Sequence, residues 1–463
     1  MNIVQITPGA GGMYCGNCFR DNALVAELRK LGHSTLMVPL YLPMTLDEED
    51  QSAGTPIFFS GVNVYLEQKS ALFRHAPEWL HKLLASPRLL KWAGKQAAKT
   101  RAEDVGDLTL SMLKGEDGNQ ARELDELIAF LKTQEHPDVI CLSNAMLVGL
   151  VRQFKKQLKS KVVCMLQGED AFLDAMPKKD RDAVWATLSE RAQEVDLFIA
   201  PSRYFADNMA ARMKVSPDKV KVVFNGINLE GWQGSETGSS RREEAHTIPG
   251  EEHQSLLTSA ATVQGGEAPV LGFFARMSEE KGLHLLVDAF IDLKKRETTK
   301  LLKLKVGGGC GPSDEKYVAK LKRLLADAGV LADVEVHPNL DRDQKQAFFE
   351  SLTLFSVPAL YGEAFGLYLV EAMAAGVPVV QPRHAAFPEI VEASRAGIIT
   401  EANSAALADG IESLLIDPER LKELRSHALA ASREQFSIAA MAAKIVEALE
   451  SITDDSRAEV PAS

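Results

Sequence analysis

The 463-residue sequence has few cysteines, no surplus of basic residues and no long apolar run, and each shortage removes a class of protein. Cys15, Cys18, Cys141, Cys164 and Cys310 are odd in number and sparse over this length, which points to a reducing cytosol rather than a disulfide framework. Acidic residues outnumber basic ones, 64 to 52, and the net charge of −12 argues against a general nucleic-acid binder, because phosphate contacts need a basic surface. No stretch reaches the ~18 continuous apolar residues of a membrane span. Met1-Asn-Ile-Val-Gln-Ile-Thr-Pro-Gly reads as a strand entering a loop, without the basic start and long apolar stretch of a leader. A cytoplasmic protein is expected.

What remains is an ordinary globular balance, 46% hydrophobic and 25% charged, over enough chain for two domains of about 200 residues each. Ile3 to Ile6 reads as a buried strand, Pro8 to Cys18 as a glycine-rich loop, Asp21 to Leu31 as a helix and Ser34 to Pro39 as a second strand. This is the opening of a Rossmann-like half. Nicotinamide binding fits poorly, because Gly9-x-Gly11-Gly12 is not followed by a third glycine at the fitting spacing and no acid ends the second strand. Cys15-x-x-Cys18 is either a redox pair, half of a metal site or two small thiols packed in the loop. A structural zinc would need two further ligands at motif spacing, and none follows.

Residues from about 51 to 122 break the alternation. Trp79, Leu80, Leu83 and Leu84 share one face of an amphipathic helix, and basic residues outnumber acidic ones there. Such an insertion either packs its apolar face on the domain or meets an anionic acceptor or membrane surface. Regular alternation returns from Leu124. Lys161 to Leu166 is a strand ending in the polar loop Gln167-Gly-Glu-Asp170, at a strand end where open α/β sheets place ligands. Asp170 either serves there or caps the next helix. Trp232 to Ala268 is rich in Gly, Ser, Glu and Thr and reads as a mobile insertion.

The most informative stretch runs from Ser356 to Val380. It reads as a strand end, a loop, a helix from Leu367 to Ala375, a stop at Gly376 and Pro378, and a new strand. A helix N-terminus presents unpaired N–H groups and the positive end of its dipole, so it can hold a diphosphate. Glu371 lies ~7 Å further along the axis, where a carboxylate could accept ribose hydroxyls. Glu363, in the loop before the helix, could take hydroxyls of the group the diphosphate carries. Upstream, Arg276 and Lys281 stand between a strand end and the helix beginning near Leu283. Two cations in such a place make an anion site.

Glu363-Ala-Phe-Gly-Leu367 with Glu371-Ala-Met-Ala-Ala-Gly-Val-Pro378 resembles the E-x7-E region of retaining glycosyltransferases with the GT-B fold, family 4 especially. Arg276-Met-Ser-Glu-Glu-Lys281-Gly is similar to that family's Gly-Arg-x-x-x-x-Lys-Gly, with Ala275 in place of the first glycine. The resemblance implies two Rossmann-like α/β domains facing a cleft. The expected bounds are 1–230 for the acceptor-side domain and 231–268 for the linker. The nucleotide-sugar domain follows over 269–435, then a helix crossing back over 436–452 and a polar tail over 453–463.

By that resemblance the chain moves a sugar from a UDP- or GDP-sugar to a hydroxyl of a glycan, lipid or small-molecule acceptor, with retention and without metal or other cofactor. Arg276, Lys281 and Glu363 would be catalytic. Gly11, Gly12, Gly309, Phe365, Gly366, Leu367 and Glu371 would bind the donor, with Glu169 and Asp170 on the acceptor side. Gln167 stands where the family often has His, and Ala385 and Ala386 replace glycines of its next turn. Asp341-x-Asp343 fits the metal motif of the other large glycosyltransferase fold, but here it opens a helix, where acids act as caps. The same fold serves nucleotide-sugar epimerases and phosphorylases, and catalytically silent sugar-nucleotide binders.

Overall fold

Short apolar runs separated by amphipathic helices dictate parallel sheets, because a crossover helix covers each face and leaves the strands buried on both sides. A computed structural model of the chain shows two such sheets. It describes residues 1–9, 16–44, 46, 48–60, 64, 66, 68, 105–232 and 268–458. Gly11, Gly12 and Cys15 lie outside the described residues, as do most of the basic insertion, the linker from 233 to 267, and residues 459–463.

One compact unit comprises Met1–Asn225 with Met441–Ser463, and the other Gly226–Ala440. The first is built on β1 (Asn2–Thr7), β2 (Ser34–Pro39), β3 (Val139–Leu142), β4 (Lys161–Met165), β5 (Leu197–Ala200) and β6 (Val220–Val222). These form one parallel sheet in the order β2-β1-β3-β4-β5-β6. Every residue of β3 and β5 is buried, as strands covered on both faces should be. The order reverses between β1 and β3. Their carboxyl ends therefore diverge to opposite crossovers and leave a crevice, the usual ligand position in open α/β sheets.

The second unit repeats the plan with β7 (Val270–Phe274), β8 (Lys303–Gly308), β9 (Val334–Pro338), β10 (Leu354–Phe355), β11 (Val379–Pro382) and β12 (Gly397–Thr400). The parallel order is β12-β11-β10-β7-β8-β9, and its reversal falls between β7 and β10. Both strands run straight into the motif loops singled out from the sequence. The helix Leu367–Ala374 stops in a Schellman arrangement, with Gly376 N–H donating to the Met373 carbonyl at 2.9 Å and Val377 N–H to the Ala372 carbonyl at 2.8 Å.

Several expected boundaries move for local reasons. The first helix begins at Gly16, because its opening turns bury a polar pair, Arg20 and Asp21, that shows no apolar period. Glu169 and Asp170 are not in a loop but in the first turn of the helix Glu169–Asp174, with Gly168 as its N-cap. Trp232, assigned to the insertion, is buried against Phe349 with ring centroids 5.9 Å apart. Residues from Gly226 join the second unit through the Ile227 and Ser437 bridge, flanked by Ile227 N–H donating to the Phe436 carbonyl at 2.9 Å. The last helix runs from Ile438 to Ala458, so ordered backbone continues past Thr453, where a polar tail was expected.

Candidate active site

The site in the second unit begins where β7 and β10 end. The chain leaving β7 carries Arg276 and Lys281, and must turn sharply to enter the helix Leu283–Leu293. Gly282 makes that turn at φ +73°, and a Cβ there would lie 1.8 Å from the Pro358 carbonyl oxygen. The close approach ties the Lys281 loop to the loop after β10. A second tie is the Leu360 N–H donating to the Glu280 carbonyl at 2.9 Å.

That contact delivers Lys281 to Glu363 although 82 residues separate them. The Lys281 ammonium donates to Glu363 Oε2 at 2.7 Å. Tyr361 and Tyr368 donate their hydroxyls to the same oxygen, at 2.7 and 2.8 Å. Lys281 also donates to the Tyr361 hydroxyl and stands 4.7 and 5.3 Å from the centroids of the Tyr361 and Tyr368 rings. Burial is the largest influence on the Glu363 carboxyl and pushes its pKa up. The charge and hydrogen bond of Lys281, with the two tyrosines, outweigh it and hold the carboxyl below its usual range. Burial and the neighbouring Glu363 push the Tyr368 phenol well above its ordinary value, so it stays a donor. Glu363 is thus kept ionised inside the protein.

Arg276 is held from the other side. Its Nη2 and Nε donate to the two oxygens of Asp314 at 3.0 and 3.2 Å. Asp314 also accepts the Gly311 N–H at 3.0 Å. Burial pushes Asp314 up, but the Arg276 hydrogen bond and charge and the Gly311 N–H bring it below the ordinary carboxylate range. Arg276 nevertheless keeps 58% of its side chain exposed, so a guanidinium fixed in direction still faces solvent. In the loop after β8, Gly308 takes φ +117°, and a Cβ there would sit 2.0 Å from the Ala275 carbonyl oxygen, so only glycine fits. Among the described residues, Gly309, expected to admit a base, has only the Arg276 Cα within 4.0 Å of its Cβ position.

Gly366 caps the helix Leu367–Ala374 in the left-handed region (φ +91°), and Glu371 lies on that helix. Glu371 accepts from the Lys345 ammonium at 2.7 Å. Phe365 is buried, its ring edge-on to Phe436 at 6.1 Å, so its side chain belongs to the core. Asp341 accepts the Gln344 N–H at 2.9 Å in a full capping box, which accounts for the first acid of Asp341-x-Asp343 as a helix cap. His384 Nε2 meets the Tyr361 carbonyl at 3.1 Å, and Ala385 holds the left-handed backbone (φ +50°) at a turn where the family has glycine.

The expected acceptor-side pair lies in the first unit. Glu169 accepts the Ala145 and Gln167 N–H groups, both at 2.8 Å, and is buried in this role. Burial dominates its pKa and pushes it up despite those bonds. Asp170 is also buried and raised, chiefly by burial, while the Ala171 N–H and Asn208, which donates to its Oδ2 at 2.8 Å, act the other way. Glu169 therefore braces two loops, and Asp170 is tied to the helix carrying Asn208. Tyr361, Tyr368, Lys345 and Asp314 were missed from the sequence. Lys345 and Asp314 meet their partners only through the fold, and Tyr361 and Tyr368, though near Glu363 in sequence, carry no motif spacing.

The fold and this cluster define an α/β protein with a group of charged side chains at a sheet's switch point. Comparison with known proteins narrows the class. Residues 258–431 match the family described as "Glycosyl transferases group 1", and residues 113–230 match "Glycosyltransferase Family 4". The chain belongs to the family 4 glycosyltransferases, with the GT-B fold. It is 28% identical over 260 residues to D-inositol 3-phosphate glycosyltransferase 1 of Catenulispora acidiphila, covering 55% of this chain and 58% of that protein. It is likewise 28% identical over 265 residues to alpha-maltose-1-phosphate synthase of Mycolicibacterium smegmatis, covering 55% of this chain and 63% of that one. The matched stretches thus span less than two thirds of these relatives. Among solved structures, Anabaena HepE in complex with UDP superimposes with a TM-score of 0.64 at 16% identity, covering 97% of this chain and all of that one. Sucrose-phosphate synthase of Thermosynechococcus elongatus gives 0.65 at 15%, over 98% and 99%. These likenesses describe the fold.

Proposed function

We propose that the chain transfers a sugar from a nucleotide-diphosphate sugar to a hydroxyl acceptor, with retention at the anomeric carbon and without a metal ion. The observation that carries this reading is the Lys281 and Glu363 pair, clasped by Tyr361 and Tyr368 at the switch point, with Arg276 on the same loop. Names of relatives support the transfer of sugars, and the HepE structures with UDP and with UDP-glucose make UDP the first nucleotide to try. The choice between UDP and GDP rests on residues that no motif specifies.

Negative charge grows on the departing diphosphate as the bond from the anomeric carbon to the phosphate oxygen breaks. Arg276, directed by Asp314, and the Lys281 ammonium would stabilise it, together with the N–H groups opening the helix Leu367–Ala374. All three hydrogen bonds to Glu363 land on Oε2, so its Oε1 would accept a hydroxyl of the transferred sugar. Glu371, steadied by Lys345, would accept from the ribose. The acceptor oxygen bonds to the anomeric carbon on the face the diphosphate leaves, and the acceptor proton passes to the departing phosphate oxygen. Two cations and a helix terminus supply the charge work a divalent ion would otherwise do.

The test is product stereochemistry. Proton NMR of a reaction run with UDP-glucose in chelator should show the donor's α-configuration in the product. A β-linked product, or turnover that chelator abolishes and a divalent ion restores, contradicts the reading.

A further inference from the structure

The first unit has a switch point of its own, and its chemistry differs from that of the second. Between the carboxyl ends of β1 and β3 lies a cavity of about 210 Å³. Tyr41 follows β2, Leu108 and Met112 come from the helix Gly106–Lys114, Met146 and Leu147 follow β3, and Phe172 comes from the helix after β4. None of the described residues lining it carries a charge. Phe172 leaves 36% of its surface exposed, which for a large aromatic beside an apolar cavity marks unfilled contact area.

We propose that this cavity takes the apolar part of a glycosyl acceptor, an alkyl or acyl chain or a ring system, beside the hydroxyl that receives the sugar. The proposal rests on the glycosyl-transfer reading above. It assigns the acceptor a chemistry unlike the inositol phosphate in a relative's name, since a phosphate seeks Arg or Lys and the described wall offers neither. The acceptor is then amphiphilic: its apolar part fills the cavity, and the hydroxyl that receives the sugar lies outside it. A pocket at the carboxyl edge of a parallel sheet, apolar with Thr109 and Asn144 among its few polar groups, has the composition of a small-molecule site.

The experiment measures binding of methyl, butyl and octyl β-glucosides to the full chain by calorimetry, with phenyl and naphthyl glucosides as a parallel arm. Affinity should rise about fourfold per added methylene until the cavity is full. The arm that gains more tells chain from ring. Phe172→Asp and Leu108→Asp, both at partly exposed positions, should flatten the series while leaving the thermal shift given by the nucleotide unchanged. Phe172→Leu should keep most of the gain. A flat series in the unaltered chain, alongside a normal nucleotide shift, overturns the proposal, as does a steep series that survives both aspartate variants. A steep series without any nucleotide shift overturns the acceptor role by removing the transfer reading beneath it.

Discussion

Replacing Lys281 by Met separates what the Lys281 and Glu363 pair does for the fold from what it does for the reaction. Breaking a buried ion pair from one side costs about 3–5 kcal/mol, because the remaining charge is left without its partner. Lys281 keeps 20% of its side chain exposed, so the lower end, about 3 kcal/mol at pH 7.5, is expected. The pH dependence carries the sign. In the native protein Glu363 titrates below its ordinary value, so its contribution is full above the unfolded carboxyl's range and is lost as pH falls through the depressed folded value. In the variant, burial acts with the Lys281 charge gone and the folded pKa moves above the unfolded one. The penalty is then full at neutral pH and shrinks as pH falls toward the carboxylate range. Adding Glu363→Gln removes the stranded charge and should return the protein to within about 1 kcal/mol of the parent. Turnover should stay 10²- to 10³-fold down in both variants, since neither supplies the cation proposed to face the diphosphate. Urea unfolding of the second unit at pH 7.5 and 5, beside initial rates, reads all of this. A stability gap that ignores pH, or a double variant less stable than the single one, would refute the reasoning.

Three other outcomes follow from named contacts. Gly282→Ala should lose roughly 3 kcal/mol or more, from a left-handed turn and an overlap with the Pro358 carbonyl, and thermal unfolding should show it as a drop of several degrees. Ala385→Gly should stabilise by about 0.5 kcal/mol, since relieving the left-handed alanine gains more than the extra unfolded-state freedom costs; a loss of stability contradicts that. Asp341→Ala should cost about 1 kcal/mol through its capping box and leave turnover and its response to divalent ions unchanged, and a loss of turnover would assign that acid to the chemistry instead.

The strands were legible because parallel sheets buried on both faces force continuous apolar runs. Val139 to Leu142 and Leu197 to Ala200 announce themselves. The helix Leu367–Ala374 was equally readable, stopped by Gly376 and Pro378 as its Schellman contacts require. The reach of Lys281 to Glu363 was foreshadowed only by the resemblance, since nothing local connects residues 82 apart. Lys345 was invisible for the same reason, standing on a neighbouring helix 26 residues from Glu371. Phe365 read as a ligand contact, but an aromatic within a motif serves packing equally well, and Phe436 claims its ring. The apolar cavity draws on segments after β1, β2 and β3 and on two helices, so no single stretch betrays it.

Both sheets reverse their order once, and chemistry-bearing side chains gather at each reversal, charged in the second unit and apolar in the first. The central claim concerns the second. Thermal unfolding of the chain with UDP, GDP, ADP and their glucose esters, beside Arg276→Ala, tests it most directly. One nucleotide series should raise the melting temperature, and the rise should vanish in the variant, which lacks the guanidinium proposed to meet the phosphates. A rise that persists undiminished in Arg276→Ala, or none with any nucleotide, would contradict the donor site described here.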